Sequence, residues 1–133
     1  MSLEKALHAT QSQVPDCVAV GYVDMATGML LGVKTVDSHP SEVLDLVSAA
    51  TADLFQGTNV VAIENMFKKT RGVTHDLHYF QEIVVFSTNL LHVFLRGKKN
   101  QNHALVVVTR ASANIGMVLT KARLTLPSCE AAL

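Results

Sequence analysis

At 133 residues, with 49% hydrophobic and 17% charged side chains, the chain is the size of one domain and carries less charge than the roughly 25% of an average soluble one. Eleven basic residues offset eleven acidic ones, so no global field draws the chain to nucleic acid or to an anionic membrane. Its mean hydropathy is +0.28 and a domain this small covers only about two-thirds of its potential surface, so composition alone leads us to expect self-association.

No apolar run approaches the roughly 18 residues of a membrane span, so no membrane insertion is expected. The opening "MSLEKALHATQSQ" lacks the basic-then-apolar order of a secretory leader, which makes a cytoplasmic location the expectation. Cys17 and Cys129 stand near opposite ends without CxxC or CxxxH spacing and read as free thiols.

In chain order, "SLEKALHATQSQ" places Leu3, Ala6 and Leu7 at helical spacing behind a Ser2 cap, and Pro15 stops the helix. "CVAVGYVDMATGMLLGVKT" reads as a hairpin whose turn is supplied by Asp24 and Gly28. Gly21 and Gly32 inside its strands imply close packing against the sheet, or bulges. From Pro40 to Gly72 the pattern is helical. Residues 41–69 read as one helix of about 43 Å. Gly57-Thr58-Asn59 is the weak point, where the helix would end and leave "NVVAI" as a strand. Continuity is favoured because Val43, Val47, Ala50, Leu54, Gly57 and Val61 keep one face across it. Three β-runs follow, "HYFQEIVVFST", "LLHVFLRG" and "ALVVVT", joined by short polar turns. The whole, residues 1–133, is predicted as a single α+β domain. Its five-stranded, largely antiparallel sheet carries helices on both faces, in the order helix-β-β-long helix-β-β-β-helix.

The junction "TRASANIG" lacks the glycine pattern of a phosphate-binding loop. It reads as a helix start: Ser112 or Asn114 caps, Ile115, Leu119, Ala122 and Leu126 form the buried stripe, and Gly116 lets the helix approach the sheet. His75 and His78 in "HDLH", with His92 and His103, lack the companion ligands of a zinc site and read as polar surface residues. No nucleophile elbow occurs, and Glu82 reads as an outward-facing or edge-guarding charge. No catalytic residue, metal or cofactor is therefore expected. The basic "KKTRG" and "RGKK" lack interleaved aromatics and read as solvated loops, with at most a modest docking patch for an acidic partner.

The middle segment is apolar on more than one face. Leu44, Phe55, Ala62 and Met66 form a second stripe, with the small Ser48 and Thr51 between them, and one sheet cannot bury both. A two-fold homodimer is the expectation, its seam built from Leu44, Ser48, Thr51, Phe55, Ala62 and Met66 on the helix. An edge strand would supply Tyr79, Phe80, Ile83 and Val85.

The order of elements, the "VDMATG" turn with Asp24 and Gly28, and the "TRASANIG" entry with Asn114 and Gly116, followed by Lys121 and Arg123, together resemble the Roadblock/dynein light chain family of profilin-like domains. The likeness covers nearly the whole chain; the middle segment to Lys69 is longer than usual for it. The resemblance implies a non-enzymatic homodimer in which third strands pair edge to edge and middle helices lie side by side. It also implies an adaptor or regulator of a small GTPase or other NTPase. The other reading kept open is a sensor holding a small molecule between sheet and helix, in a space left by Ala19, Gly21 and Gly32.

Overall fold

A computed structural model of the chain describes residues 2–36, 41–72 and 78–133, with 41–46 described by their backbone alone. The Ser2 hydroxyl accepts the Lys5 amide at 3.2 Å and starts α1 (Leu3–Gln13). The helix ends where Val14 turns extended, one residue before Pro15. β1 (Cys17–Asp24) and β2 (Met29–Thr35) form the expected hairpin. Its turn is organised by the Asp24 carboxylate, which accepts the Ala26 amide and the Thr27 hydroxyl, each at 3.1 Å. Gly28 closes the turn at φ 74°, where a side chain would be strained.

After the middle segment come β3 (Glu82–Phe86), β4 (Leu90–Arg96) and β5 (His103–Arg110), then the C-terminal helix Ile115–Ala131. The strands lie in the order β2-β1-β5-β4-β3, every neighbouring pair antiparallel, so β2 and β3 are the two edges. One face presents Val20, Tyr22, Leu91, Val93, Leu105 and Val107 to α1 and the C-terminal helix. The other presents Val23, Phe94, Ala104 and Val106 to Phe55 of the middle segment. Helices therefore cover both faces, as predicted. Gly32 lets α1 in: a Cβ there would stand 3.0 Å from both Leu3 and Leu7.

The single long helix does not form, and neither does the alternative strand. The middle segment is two helices, α2 (Ser41–Gln56) and α3 (Thr58–Arg71), separated by Gly57. Gly57 swings to ψ 167°, yet its amide still bonds the Asp53 carbonyl and its own carbonyl accepts the Val61 amide, each at 3.0 Å. One helix ends and the next begins on the same residue. Its Cβ would fall 2.7 Å from the Asp53 oxygen, so the break needs glycine.

Within α2 the two stripes trade places, but the exchange does not continue into α3, where Ala62 and Met66 of the second stripe are exposed and Val61 of the first is half-buried. Ser48, Thr51 and Phe55 are fully buried against the chain's own sheet, while Val47, Ala50 and Leu54 lie at the surface. Numbered in chain order, the last helix is α4 (Ile115–Ala131). Asn114 is its cap, accepting the Met117 amide at 3.1 Å, but Gly116 is exposed and does not meet the sheet. The buried stripe is Val118, Ala122, Thr125, Leu126 and Cys129, because the first turn projects past the core and packing begins one turn later.

Asn114→Ala should cost about 1 kcal/mol of stability, the usual worth of such a cap, whereas Gly116→Ala, at an exposed helical position, should shift stability by less than about 1 kcal/mol. Gly57→Ala should lose about 1–3 kcal/mol through the clash with the Asp53 carbonyl. Urea unfolding of the three variants measures all of these.

Candidate interaction surface

β3 is the short outer strand, and one of its sides has no neighbour among the described residues. Val85 and Phe86 stand exposed on it, with Ile83 and Val84 half-buried. Three ties hold it in place. The Glu82 carboxylate takes Nε and Nη2 of Arg123 on α4 at 2.9 and 2.6 Å, a two-pronged pair that keeps Glu82 ionised below the usual carboxylate range. β4 pairs with it from Glu82↔Leu95 to Phe86↔Leu91. The residues leading into it are gripped from beneath by two buried charges.

The first is Arg96, at the end of β4 and fully buried. Its Nε donates to the Phe80 carbonyl at 2.8 Å, Nη1 to the Gln56 side chain and the Gln101 carbonyl at 2.9 Å each, and Nη2 to the Phe55 carbonyl at 3.0 Å. The guanidinium also lies 4.9 Å from the centre of the Phe55 ring. Burial draws its pKa down, with the charge of Glu64 opposing.

The second is Glu64, the one buried side chain of α3. Its carboxylate bonds His78 Nδ1 at 2.9 Å and accepts the Tyr79 amide at 2.6 Å. Burial by itself would raise its pKa, but the His78 and Tyr79 bonds and the Arg96 charge outweigh that and hold it below 4.5. His78 is thus a partner of Glu64, not a free surface residue, and its amide donates to Gln101 Oε1 at 2.8 Å. His75 lies outside the described residues; among those described, no three of His, Cys, Asp and Glu gather as a metal would need.

The proposed seam residues divide. Ala62, Met66 and Val85 are at the surface, Met66 most of all at 68% exposed. Tyr79, Phe80 and Ile83 are half-buried along the path into β3. Ser48, Thr51 and Phe55 are withdrawn into the chain's own core, so they cannot meet a partner while that core is closed; the side chain of Leu44 lies outside the described residues. In their place α2 and α3 expose Val47, Leu54, Ile63 and Phe67, and the Phe67 ring leans on Tyr79 at 5.8 Å.

The basic stretches also separate. Arg96 of "RGKK" is not solvated at all, and the amides of Lys98, Lys99 and Asn100 converge on the carboxylate of Glu130, at 3.0, 2.7 and 3.2 Å. Lys69 and Arg71 of "KKTRG" do reach solvent at the end of α3. Both cysteines are free, and burial pushes the Cys17 thiol up to about 11 and Cys129 upward too, so neither is a ready nucleophile. No described helix is long and apolar enough to cross a membrane.

The backbone arrangement matches solved structures across nearly its full length. A Roadblock/LC7 domain from Streptomyces avermitilis shares 14% identity at a TM-score of 0.70, covering 98% of this chain and 96% of its own. MglC from Myxococcus xanthus shares 19% at 0.63, covering each chain completely. An MglB with a tetrameric arrangement shares 20% at 0.68, over 97% of this chain and 88% of its own. No family model matches the sequence, and no curated protein matches it either. At such low identity the likeness establishes the fold, which is that of the Roadblock/LC7 domain.

Arg96→Met should destabilise the chain by about 3–5 kcal/mol, since it strands three carbonyls and a side-chain amide in the core and leaves Glu64 without its nearest buried cation. Because the Glu64 pKa is depressed on folding, its contribution is complete above 4.5 and is lost as pH falls below that value. Denaturation midpoints between pH 7 and pH 3 should therefore fall less steeply for Glu64→Gln than for the wild type.

Proposed function

We propose that this chain, built on the Roadblock/LC7 fold, works as a non-enzymatic homodimeric adaptor that regulates a small GTPase or a related NTPase. The observation that carries the reading is the open β3 edge, flanked by exposed Val85 and Phe86 and standing beside a middle segment that turns Leu54, Ile63, Met66 and Phe67 outward. An unpaired edge and a contiguous apolar helix face are the two kinds of surface that proteins cover by association.

In the proposed dimer two copies of β3 pair antiparallel across a two-fold axis, which extends the sheet, and the outward residues of α2 and α3 pack against their own counterparts. The tetrameric MglB of the same fold supports self-association as a habit of this architecture. The GTPase reading rests on the family resemblance. The surface offered to an NTPase would be the outer side of the paired middle helices, where the exposed cations Lys69 and Arg71 follow Met66 in the last turns of α3.

Sedimentation at tens of micromolar should show a dimer, whose seam is expected to bury about 2,000 Å² in total. Val85→Lys, which places a charge on the pairing edge, and Phe67→Asp, on the helix face, should each give folded monomers. A wild-type monomer, or both variants remaining dimeric, would overturn the proposed seam. For the partner, the wild-type dimer should retain a GTPase loaded with one nucleotide state and release the other; equal retention of both states counts against the regulatory reading.

A further inference from the structure

Among the described residues, the face of the sheet beneath α2 is only partly covered. Phe55 fills one end, against Val23, Phe94, Ala104 and Val106. Beyond it a trough of about 530 Å³ runs between α2 and strands β1, β2, β4 and β5, walled by Val47 and floored by Ala19, Gly21, Phe94, Val106 and Val108. That volume is within the roughly 300–1,000 Å³ of small-molecule sites. The floor is apolar because alternate residues of three strands point into it, and the small Ala19 and Gly21 deepen it.

Its polar lining side chains are Thr35, Asn89, His92 and Arg110. Arg110 and Asn89 stand together at the mouth, where the end of β5 meets the start of β4, and Leu90 pairs with Arg110 across the strands. The Arg110 guanidinium has no carboxylate partner among the described residues, unlike Arg123, which is held by Glu82. Midway along the floor, His92 bonds the Ser87 hydroxyl at 3.1 Å, and burial lowers its pKa, so it adds no charge to the interior at neutral pH. From Arg110 to Val106 the strand spans about 14 Å at 3.4 Å per residue, comparable to the length of an extended medium-chain aliphatic tail.

An apolar trough with a lone cation at its open end is complementary to one kind of molecule. We infer that the trough is a binding site for a single-chain aliphatic carboxylate, its tail laid over Val108 and Ala19 as far as Val106 and Phe94, where Phe55 packs, and its head group on Arg110. The tail is drawn in by burial of its methylenes, about 0.8 kcal/mol each, and the carboxylate meets the planar donors of the guanidinium. The site lies on the α2 face of the central strands and none of its lining residues belongs to β3, so it does not rest on the adaptor reading.

Calorimetric titration of the full chain with decanoate, below its micelle threshold, tests the inference. One decanoate should bind per chain, and decanol, with the same tail and no charge, should bind about tenfold or more weakly. Arg110→Gln, at an exposed position, should bring decanoate down to the level of decanol while leaving the melting temperature unchanged. Val108→Trp, checked for folding by circular dichroism, should fill the floor and abolish binding of both. Absence of saturable decanoate binding, equal affinity for decanoate and decanol, or an Arg110→Gln protein that still favours decanoate would overturn the inference. So would co-sedimentation with anionic phospholipid vesicles in a protein that does not bind decanoate, which would assign the patch to a bilayer surface.

Discussion

A single buried guanidinium holds together segments that are far apart in sequence. The four hydrogen bonds of Arg96 reach the last turn of α2 through the Phe55 carbonyl and the Gln56 side chain, the approach to β3 through Phe80, and the β4–β5 turn through Gln101. The C-terminal carbonyls of a helix have no partner inside it, and that of Phe55, buried at the end of α2, is satisfied because this side chain comes to it. A lysine would not substitute: its three donors radiate from a point, whereas the acceptors here lie around a planar fork. Where Arg96 puts the end of α2, Gly57 must turn the chain into α3, and from α3 Glu64 reaches down to His78 and Tyr79.

That network gives the exposed surface its rigidity. β3 is five residues long and paired on one side, an arrangement that would fray by itself. It is fixed by Arg96 and Glu64 at its entrance and by the Glu82–Arg123 pair on its α4 side. An edge held in place on three counts has little conformational entropy left to lose if a partner pairs with it.

The chain's high apolar content is therefore spent on more than one core. Part fills the layer between sheet and α1 with α4, part the smaller layer under Phe55, and a remainder stays open along the trough and on the outer faces of α2 and α3. The two open regions differ in chemistry. The exposed apolar residues of α2 and α3 adjoin cations at the end of α3, whereas the trough is a concavity with Arg110 as the one cation among its lining residues.

Local chemistry is what could be read in advance. The Ser2 and Asn114 caps, the Asp24–Gly28 turn and five strands in order depend on residues within a few positions of one another, and each is where the sequence placed it, except that β3 begins at Glu82 and leaves Tyr79 and Phe80 in the approach to it. That the middle segment carries apolar residues on more than one face was equally legible. Which of them α2 turned inward was not, because periodicity records the angle between residues on a helix and carries no information about the direction of the sheet. The break at Gly57 escaped for a similar reason: apolar phase continues through it, while the turn is imposed by where Arg96 and Glu64 anchor the flanking turns. Arg96 itself looked like one more cation in "RGKK", since nothing in a local window shows that four acceptors from distant segments will converge on it. Charge burial and the choice of inner face are decided by contacts between remote parts of the chain, and only the tertiary structure brings those parts together.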